Sequence, residues 1–256
     1  RDRAFHRLCR GCEAILVSSA DAREDLLAFD ATSAVRAHVL HFVPVVPPRE
    51  GLPGRAALES RYGFEGPYLY LPNQFWRHKN HALVVEALAL LQTRGEAPLV
   101  LATGNPSDFR EPDHYAALLA RVREGGLEGR FRVLGVVPHA DVLGLMVHSD
   151  AVLNPSFFEG WSTTVEEAKA LGVLLVLSDL PVHREQAPAG GIFFDPRSVT
   201  SLVDALHTLG GAPPRPAATP PSLREFGATY QAVVLATLDE FRRGEPRPPT
   251  PPSCPG

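Results

Sequence analysis

From Pro67 onward, short apolar runs alternate with amphipathic stretches, and this alternation restricts the fold more than any other feature of the 256 residues. The runs Tyr68–Leu71, Leu99–Thr103, Phe131–Leu134, Ala151–Leu153, Val173–Leu177 and Ile192–Phe194 are rich in Val and Leu, as strands covered on both faces are. Between and after them the spacing predicts helices over His78–Thr93, Asp113–Glu124, Asp141–His148, Thr163–Leu171 and Val199–Leu209. Strand and helix repeating in this order imply a parallel sheet with helices on both faces, so the expected class is α/β with a Rossmann-like sheet.

A smaller strand–helix–strand piece precedes this unit. Glu13–Ser19 reads as a strand, Ala22–Phe29 as a helix capped by Ser19 or Asp21, and Ala37–Val43 as a second strand. Pro44–Gly54 is crowded with Pro and Gly and reads as a linker. At the other end, Ala212–Pro221 is expected to be a loop and Ser222–Arg243 one long helix, with Phe226, Tyr230, Val233 and Phe241 on its apolar stripe. The Pro-rich tail 244–256 cannot bury a core and is expected to be disordered. The domain plan is therefore 1–48, 49–211, 212–243 and 244–256.

Composition narrows the function classes. A net charge of −4 argues against a general nucleic-acid binder. No apolar run reaches the ~18 residues of a membrane span, and Arg1–Arg10 does not read as a signal peptide. The expected location is cytoplasmic, with at most peripheral association at the inner face of a membrane. Cys9 and Cys12 read as ordinary thiols on a helix, because no second pair at zinc spacing follows. No Gly-x-Gly-x-x-Gly follows the strand at Leu71, no phosphate-binding Walker loop occurs, and no Asp-x-Asp is present for a donor-chelating metal.

The chemistry concentrates in Asn154–Gly172. Glu159 ends a short apolar run; Gly160 and Trp161 follow, then Ser162, Thr163 and Thr164, and the helix that starts there carries Glu167 eight positions after Glu159. Hydroxyl residues at a helix start leave backbone N–H groups and the positive end of the dipole facing out, which suits phosphate. Carboxylates nearby can accept from sugar hydroxyls. Trp161 reads as packing or lining a pocket rather than stacking a base. Glu166 reads as a surface acid paired with Lys169 at i,i+3. A second basic segment, Leu71–His81, follows the first strand of the larger unit at its carboxyl edge, where α/β ligands bind. Arg77 and Lys79 there can face a diphosphate, Arg as a fork and Lys as a point charge. His78, His81 and His139 read as ordinary loop or cap histidines.

The segment around Glu159 and Glu167 resembles the Glu-x7-Glu motif of retaining GT-B glycosyltransferases of family 4 type. Lys79-Asn80 matches the Lys position that opens a helix in that family, while Asn73-Gln74 stands where Gly-Arg usually stands, leaving Arg77 as the remaining Arg. The wording Pro72-Asn-Gln-Phe-Trp-Arg-His-Lys-Asn-His81 and Leu177-Ser-Asp-Leu-Pro-Val-His-Arg-Glu-Gln186 is similar to a bacterial subgroup of mannosyl- and rhamnosyltransferases.

The resemblance implies a GT-B C-terminal domain that binds a nucleoside-diphosphate sugar, and retaining transfer of a hexose to a glycan or lipid-linked acceptor. It implies Glu159 and Lys79 at the reacting sugar and leaving phosphate, Glu167 on the ribose, backbone amides around Ser162, Thr163 and Thr164 on the diphosphate, and Asn73, Arg77, Gly160 and Trp161 in the donor site. Gly104 and Val137 are implied to lie near the donor and its base. No cofactor or metal is implied. Residues 1–48 correspond to a remnant of an N-terminal domain and linker. The chain is accordingly expected to be the donor-binding half of an enzyme with its front removed, and poorly active alone. The alternative is a non-catalytic module that binds a nucleotide sugar or a partner.

Overall fold

The computed structural model describes residues 2–186, 191–211 and 222–243. The expectations for the loop 212–221 and the tail 244–256 lie outside the described residues. The chain divides into two compact units, one of residues 44–220 and one that groups residues 1–43 with 221–256.

The smaller unit holds α1 (Asp2–Gly11), β1 (Ile15–Val17), α2 (Ala20–Phe29) and β2 (Ala37–Val39). β1 and β2 pair in parallel, Ile15 opposite Ala37 and Val17 opposite Val39. Of the two caps open in the sequence, Ser19 is the one used: its hydroxyl accepts from the Ala22 N–H at 2.9 Å. Cys9 lies in α1 and Cys12 just beyond it, both free thiols.

In the larger unit α3 (Arg55–Tyr62) leads into β3 (Tyr68–Pro72), α4 (His81–Gln92), β4 (Leu99–Thr103), α5 (His114–Glu124), β5 (Phe131–Gly135), α6 (His139–Val147), β6 (Ala151–Asn154), α7 (Thr163–Ala170), β7 (Leu175–Ser178), α8 (Pro181–Gln186), β8 (Ile192–Phe194) and α9 (Val199–His207). The last helix, α10 (Leu223–Arg243), groups with the smaller unit, and none of its residues is buried. Among the described residues, no helix is long and apolar enough to cross a membrane.

The six strands of the larger unit form one parallel sheet in the order β5-β4-β3-β6-β7-β8. Successive strand side chains point to opposite faces, and the core follows that period. Leu69, Leu71, Val100, Ala102, Leu153 and Val176 face one layer, packed with Leu88 of α4, Leu118 of α5 and Leu202 of α9. Tyr68, Tyr70, Leu101, Val152, Leu175 and Leu177 face the other, with Leu58 of α3, Leu143 of α6 and Val165 of α7. Both faces are thus covered, as the Val- and Leu-rich strands require.

The chain steps from β3 outward to β4 and β5, then returns to the far side of β3 to lay down β6, β7 and β8. Strand order reverses between β3 and β6, where Leu69 pairs with Ala151 and Tyr70 with Val152. A doubly wound sheet binds its ligand outside the carboxyl ends of the strands at such a reversal. Two helices escaped the sequence reading. α3 follows directly on the expected linker and ends at Gly63, whose left-handed φ of 65° closes it. α8 is a turn and a half opened by Pro181, too short to show a period.

Candidate active site

Two loops meet at the reversal. The first leaves β3 through Asn73 and makes a short 3-10 turn at Arg77–Lys79 before α4; the second leaves β6 and runs through Glu159 to α7. Lys79 Nζ donates to Glu159 Oε1 at 2.6 Å. Both side chains are largely withdrawn from water, at 13% and 8% exposure. The Ser156 hydroxyl stands 2.7 Å from the same carboxylate oxygen and 2.8 Å from Asn154 Oδ1. Its single proton serves one of these at a time.

Across the reversal, Asn73 Nδ2 reaches Asn154 Oδ1 at 3.4 Å, and Asn154 Nδ2 donates to Ser162 Oγ at 3.0 Å. Ser162 is the N-cap of α7; its hydroxyl accepts from the Val165 N–H and its carbonyl from the Glu166 N–H. The Thr164 hydroxyl donates to the carbonyl of Pro72 at the end of β3. The backbone N–H groups of Thr163 and Thr164 have no hydrogen-bond partner among the described residues. They are the first orphan donors of α7, at the positive end of its dipole.

Gly104 sits where β4 ends, with φ of 150°. A Cβ built there would stand 2.3 Å from the carbonyl oxygen of Asn73, so only glycine lets the β4 loop approach the β3 loop this closely. After β5, Val137 is half-buried and precedes Pro138, the N-cap of α6. His139 opens α6 and its Nε2 donates to Glu167 Oε1 at 2.8 Å. His139, by its sequence an ordinary loop or cap residue, thus holds the second acid of the motif. Glu167 is buried on α7, while His139 is exposed.

Lys79 and Glu159 thus come into direct contact, and Asn73, Gly104, Ser162 and Thr164 are tied to the same junction by hydrogen bonds or close approach. Gly160 and Trp161 lie half-buried in the loop between Glu159 and Ser162. Arg77 behaves differently: its exposed guanidinium pairs with Glu111 at 3.0 Å. Glu166 corrects the sequence reading. It pairs with Lys169 at 2.9 Å as expected, but it is 5% exposed and also accepts from Gln186, so it is not a surface acid. A helix of eight residues packed on a sheet has little solvent face, which the i,i+3 spacing alone does not reveal.

Four supporting residues were not anticipated as such: Asn154, Ser156, His183 and Gln186. His183 is fully buried on α8; its Nδ1 lies 2.8 Å from the Ser178 carbonyl and 3.2 Å from the Ser178 hydroxyl. A carbonyl only accepts, so Nδ1 carries the proton. Ser178 Oγ in turn donates to the Ser156 carbonyl at 2.6 Å. Burial pulls the His183 pKa below the ordinary range and keeps the ring neutral. The polar letters in Asn154–Ser156 and His183–Gln186, set inside otherwise apolar strand and helix ends, are the sequence signal that could have marked these four.

Among the described residues no group of three or more His, Cys, Asp or Glu side chains could hold a metal ion. Positive charge at the junction comes instead from Lys79, joined by the two neutral N–H donors at the positive end of the α7 dipole, an arrangement able to receive an anion with several oxygens.

The family described as Glycosyl transferases group 1 matches residues 64–216, more than half of the chain. The chain is 31% identical over 159 residues to the O-antigen chain mannosyltransferase B of Escherichia coli, covering 60% of this chain and 39% of that protein. It is 28% identical over 141 residues to the mannosylfructose-phosphate synthase of Agrobacterium fabrum, covering 54% of this chain and 29% of that one. The matches thus span about two fifths or less of the curated relatives' length. Among solved structures, sucrose-phosphate synthase from Thermosynechococcus elongatus superposes with a TM-score of 0.68 at 16% identity, covering 95% of this chain and 62% of that chain. The Anabaena protein HepE, solved in complex with UDP and glucose, superposes with a TM-score of 0.68 at 17% identity, covering 94% and 65%. At these identities the structural likeness speaks for the fold, a GT-B type sheet, and the family match speaks for descent. The chain belongs to the group 1 glycosyl transferases.

Proposed function

We propose that the chain supplies the nucleotide-sugar side of a retaining glycosyl transfer, moving a hexose from a nucleoside diphosphate to a glycan or lipid-linked acceptor. The observation that carries this is the buried Lys79–Glu159 pair beside the free N–H groups of Thr163 and Thr164, at the strand-order reversal. The hard step is departure of the diphosphate while positive charge grows on the sugar carbon. Lys79 and the start of α7 stabilise the leaving phosphate without reorganising, because both are already fixed. Glu159, held by Ser156 and Lys79, orients the sugar or supports its developing charge in this scheme. Glu167, held by His139, accepts from ribose hydroxyls in this scheme. No cofactor enters this scheme and no metal is called on.

The names of the relatives support a sugar donor: one is a mannosyltransferase, and HepE was solved with UDP and glucose. Acceptor contacts and exclusion of water would come from a separate acceptor-binding domain. We therefore expect this chain by itself to bind donor and to transfer poorly. Calorimetry with UDP and GDP, with and without chelator, tests the binding half. Turnover of labelled UDP- and GDP-sugars, scoring transfer and hydrolysis, separates a catalyst from a binding module. Absence of binding to either nucleotide, or binding that disappears with chelator, contradicts the reading.

A further inference from the structure

Gln186 is 1% exposed, and its side chain is spent entirely on one neighbouring turn. Its Oε1 accepts from the Ser162 backbone N–H at 3.0 Å. Its Nε2 donates to the Ser162 carbonyl at 3.0 Å and to Glu166 Oε1 at 3.1 Å. An amide thus grips one residue through both of its backbone polar groups, the way two strands grip each other, and uses its second proton on the buried acid one turn on. Glu166 is completed by Lys169. From the opposite side Asn154 holds the Ser162 hydroxyl. Ser162 is therefore fixed at N, O and Oγ, more restraint than capping a helix of eight residues requires.

The residues next in line, Thr163 and Thr164, carry the N–H groups that the described protein leaves free. Their positions follow from that of Ser162, since two planar peptides connect them. We propose that Gln186 is a positioning residue for the diphosphate: it touches no ligand, and it sets the aim of the Thr163 and Thr164 N–H donors by clamping Ser162. This inference rests on the donor-site reading above. It adds that phosphate affinity is controlled from α8, a helix that contributes no group to the ligand itself.

The clamp predicts a selective defect. The base and ribose would be held by Val137 and Glu167, which Gln186 does not touch, so loosening Ser162 should weaken the diphosphate end alone. The test measures UDP and GDP against uridine and guanosine on the full chain, by competition and ligand-detected NMR, for wild type, Gln186→Leu, Gln186→Glu and the double variant Glu166→Gln/Gln186→Glu. Gln186→Glu keeps the acceptor for the Ser162 N–H but loses both donors and sets a second carboxylate against Glu166. The double variant restores a donor between positions 166 and 186.

The expected result is about a tenfold loss of diphosphate affinity in both single variants, since a small misplacement of fixed donors is costly, with nucleoside affinity unchanged and only part of the Gln186→Glu loss recovered in the double variant, which still lacks a donor to the Ser162 carbonyl. Unchanged diphosphate affinity in a folded Gln186→Leu chain overturns the inference, and so does an equal loss of diphosphate and nucleoside. If Gln186→Leu does not fold, Gln186→Glu decides alone: diphosphate affinity unchanged in it overturns the clamp. If wild type binds neither UDP nor GDP, the donor-site reading itself fails and takes the inference with it.

Discussion

The side-chain amide of Asn80 donates to the carbonyl of Pro155 at 3.0 Å, so the residue that opens α4 is bonded to the loop that follows β6. The same amide reaches the carbonyl of Pro196 at 2.9 Å. Asn80 has φ of 56° and is, among the described residues, the one non-glycine in the left-handed region. Asn tolerates that conformation better than other side chains. Asn80→Gly should lose the two bonds but keep the backbone, while Asn80→Ala loses the bonds and adds about 1 kcal/mol of left-handed strain. Urea denaturation of both checks this; equal stability of the two variants would show that the backbone is not strained there.

Removing Lys79 should act twice. Lys79→Ala deletes a charge-assisted bond and should weaken nucleoside-diphosphate binding by about 1–3 kcal/mol. It also leaves the Glu159 carboxylate buried without its cation, and an orphaned buried charge is costly. The double variant Lys79→Ala/Glu159→Gln removes that charge and should be more stable than Lys79→Ala alone, though no better at binding. Thermal melts read the first effect and calorimetry the second. A double variant less stable than the single one would mean that the pair is not coupled.

Gly104→Ala should be among the most damaging single-methyl changes in the chain. The new Cβ would meet the Asn73 carbonyl oxygen at 2.3 Å, and the φ of 150° is one that alanine avoids. Relief requires the β3 and β4 loops to part, at about 2 kcal/mol or more. Chemical denaturation measures the stability, and UDP binding should fall with it, because Asn73 shares the displaced loop with Lys79. A wild-type denaturation midpoint would refute this.

Acid should unfold the larger unit partly through His81. The ring is fully buried, stacked on Phe75 at 4.4 Å, and burial pulls its pKa from 6.5 to about 3. A depressed folded pKa means that the unfolded chain binds the proton more readily, so this contribution is complete above 6.5 and is lost as pH falls toward 3. His183 acts in the same direction. His81→Phe keeps the stacking and removes the titration, so its stability should decline less over that range. An identical pH profile for variant and wild type would rule His81 out as a source of acid lability.

The sheet was legible because its signal is long-range in the sequence: Leu99–Thr103 and Ile192–Phe194 are strands at the expected bounds, and β3, β5 and β6 each extend one residue past them. β7 starts at Leu175 rather than Val173, because Gly172 and Val173 still belong to the turn that closes α7. α4 starts three residues late since Arg77–Lys79 winds as a 3-10 turn that the apolar period does not distinguish. At the candidate site, Glu159, Glu167 and Lys79 were legible by type and position. What pairs with them was not. Nothing local in the sequence tells that Lys79 meets Glu159 across 80 positions, that His139 reaches Glu167, or that Gln186 turns back on Ser162. These partners are chosen by strand order, and the order of a parallel sheet is written in no single segment.

That order also dates the junction within folding. β6 docks on β3 by closing the long loop of chain that contains β4 and β5, which costs more entropy than pairing β3 with β4. Pairings so remote in sequence form slowly. The local helices and the β3–β4 pair can be in place while Lys79 and Glu159 are still far apart. In refolding, the Lys79–Glu159 pair is therefore expected to report late: it registers completion of the central seam of the sheet, which secondary structure regained earlier does not.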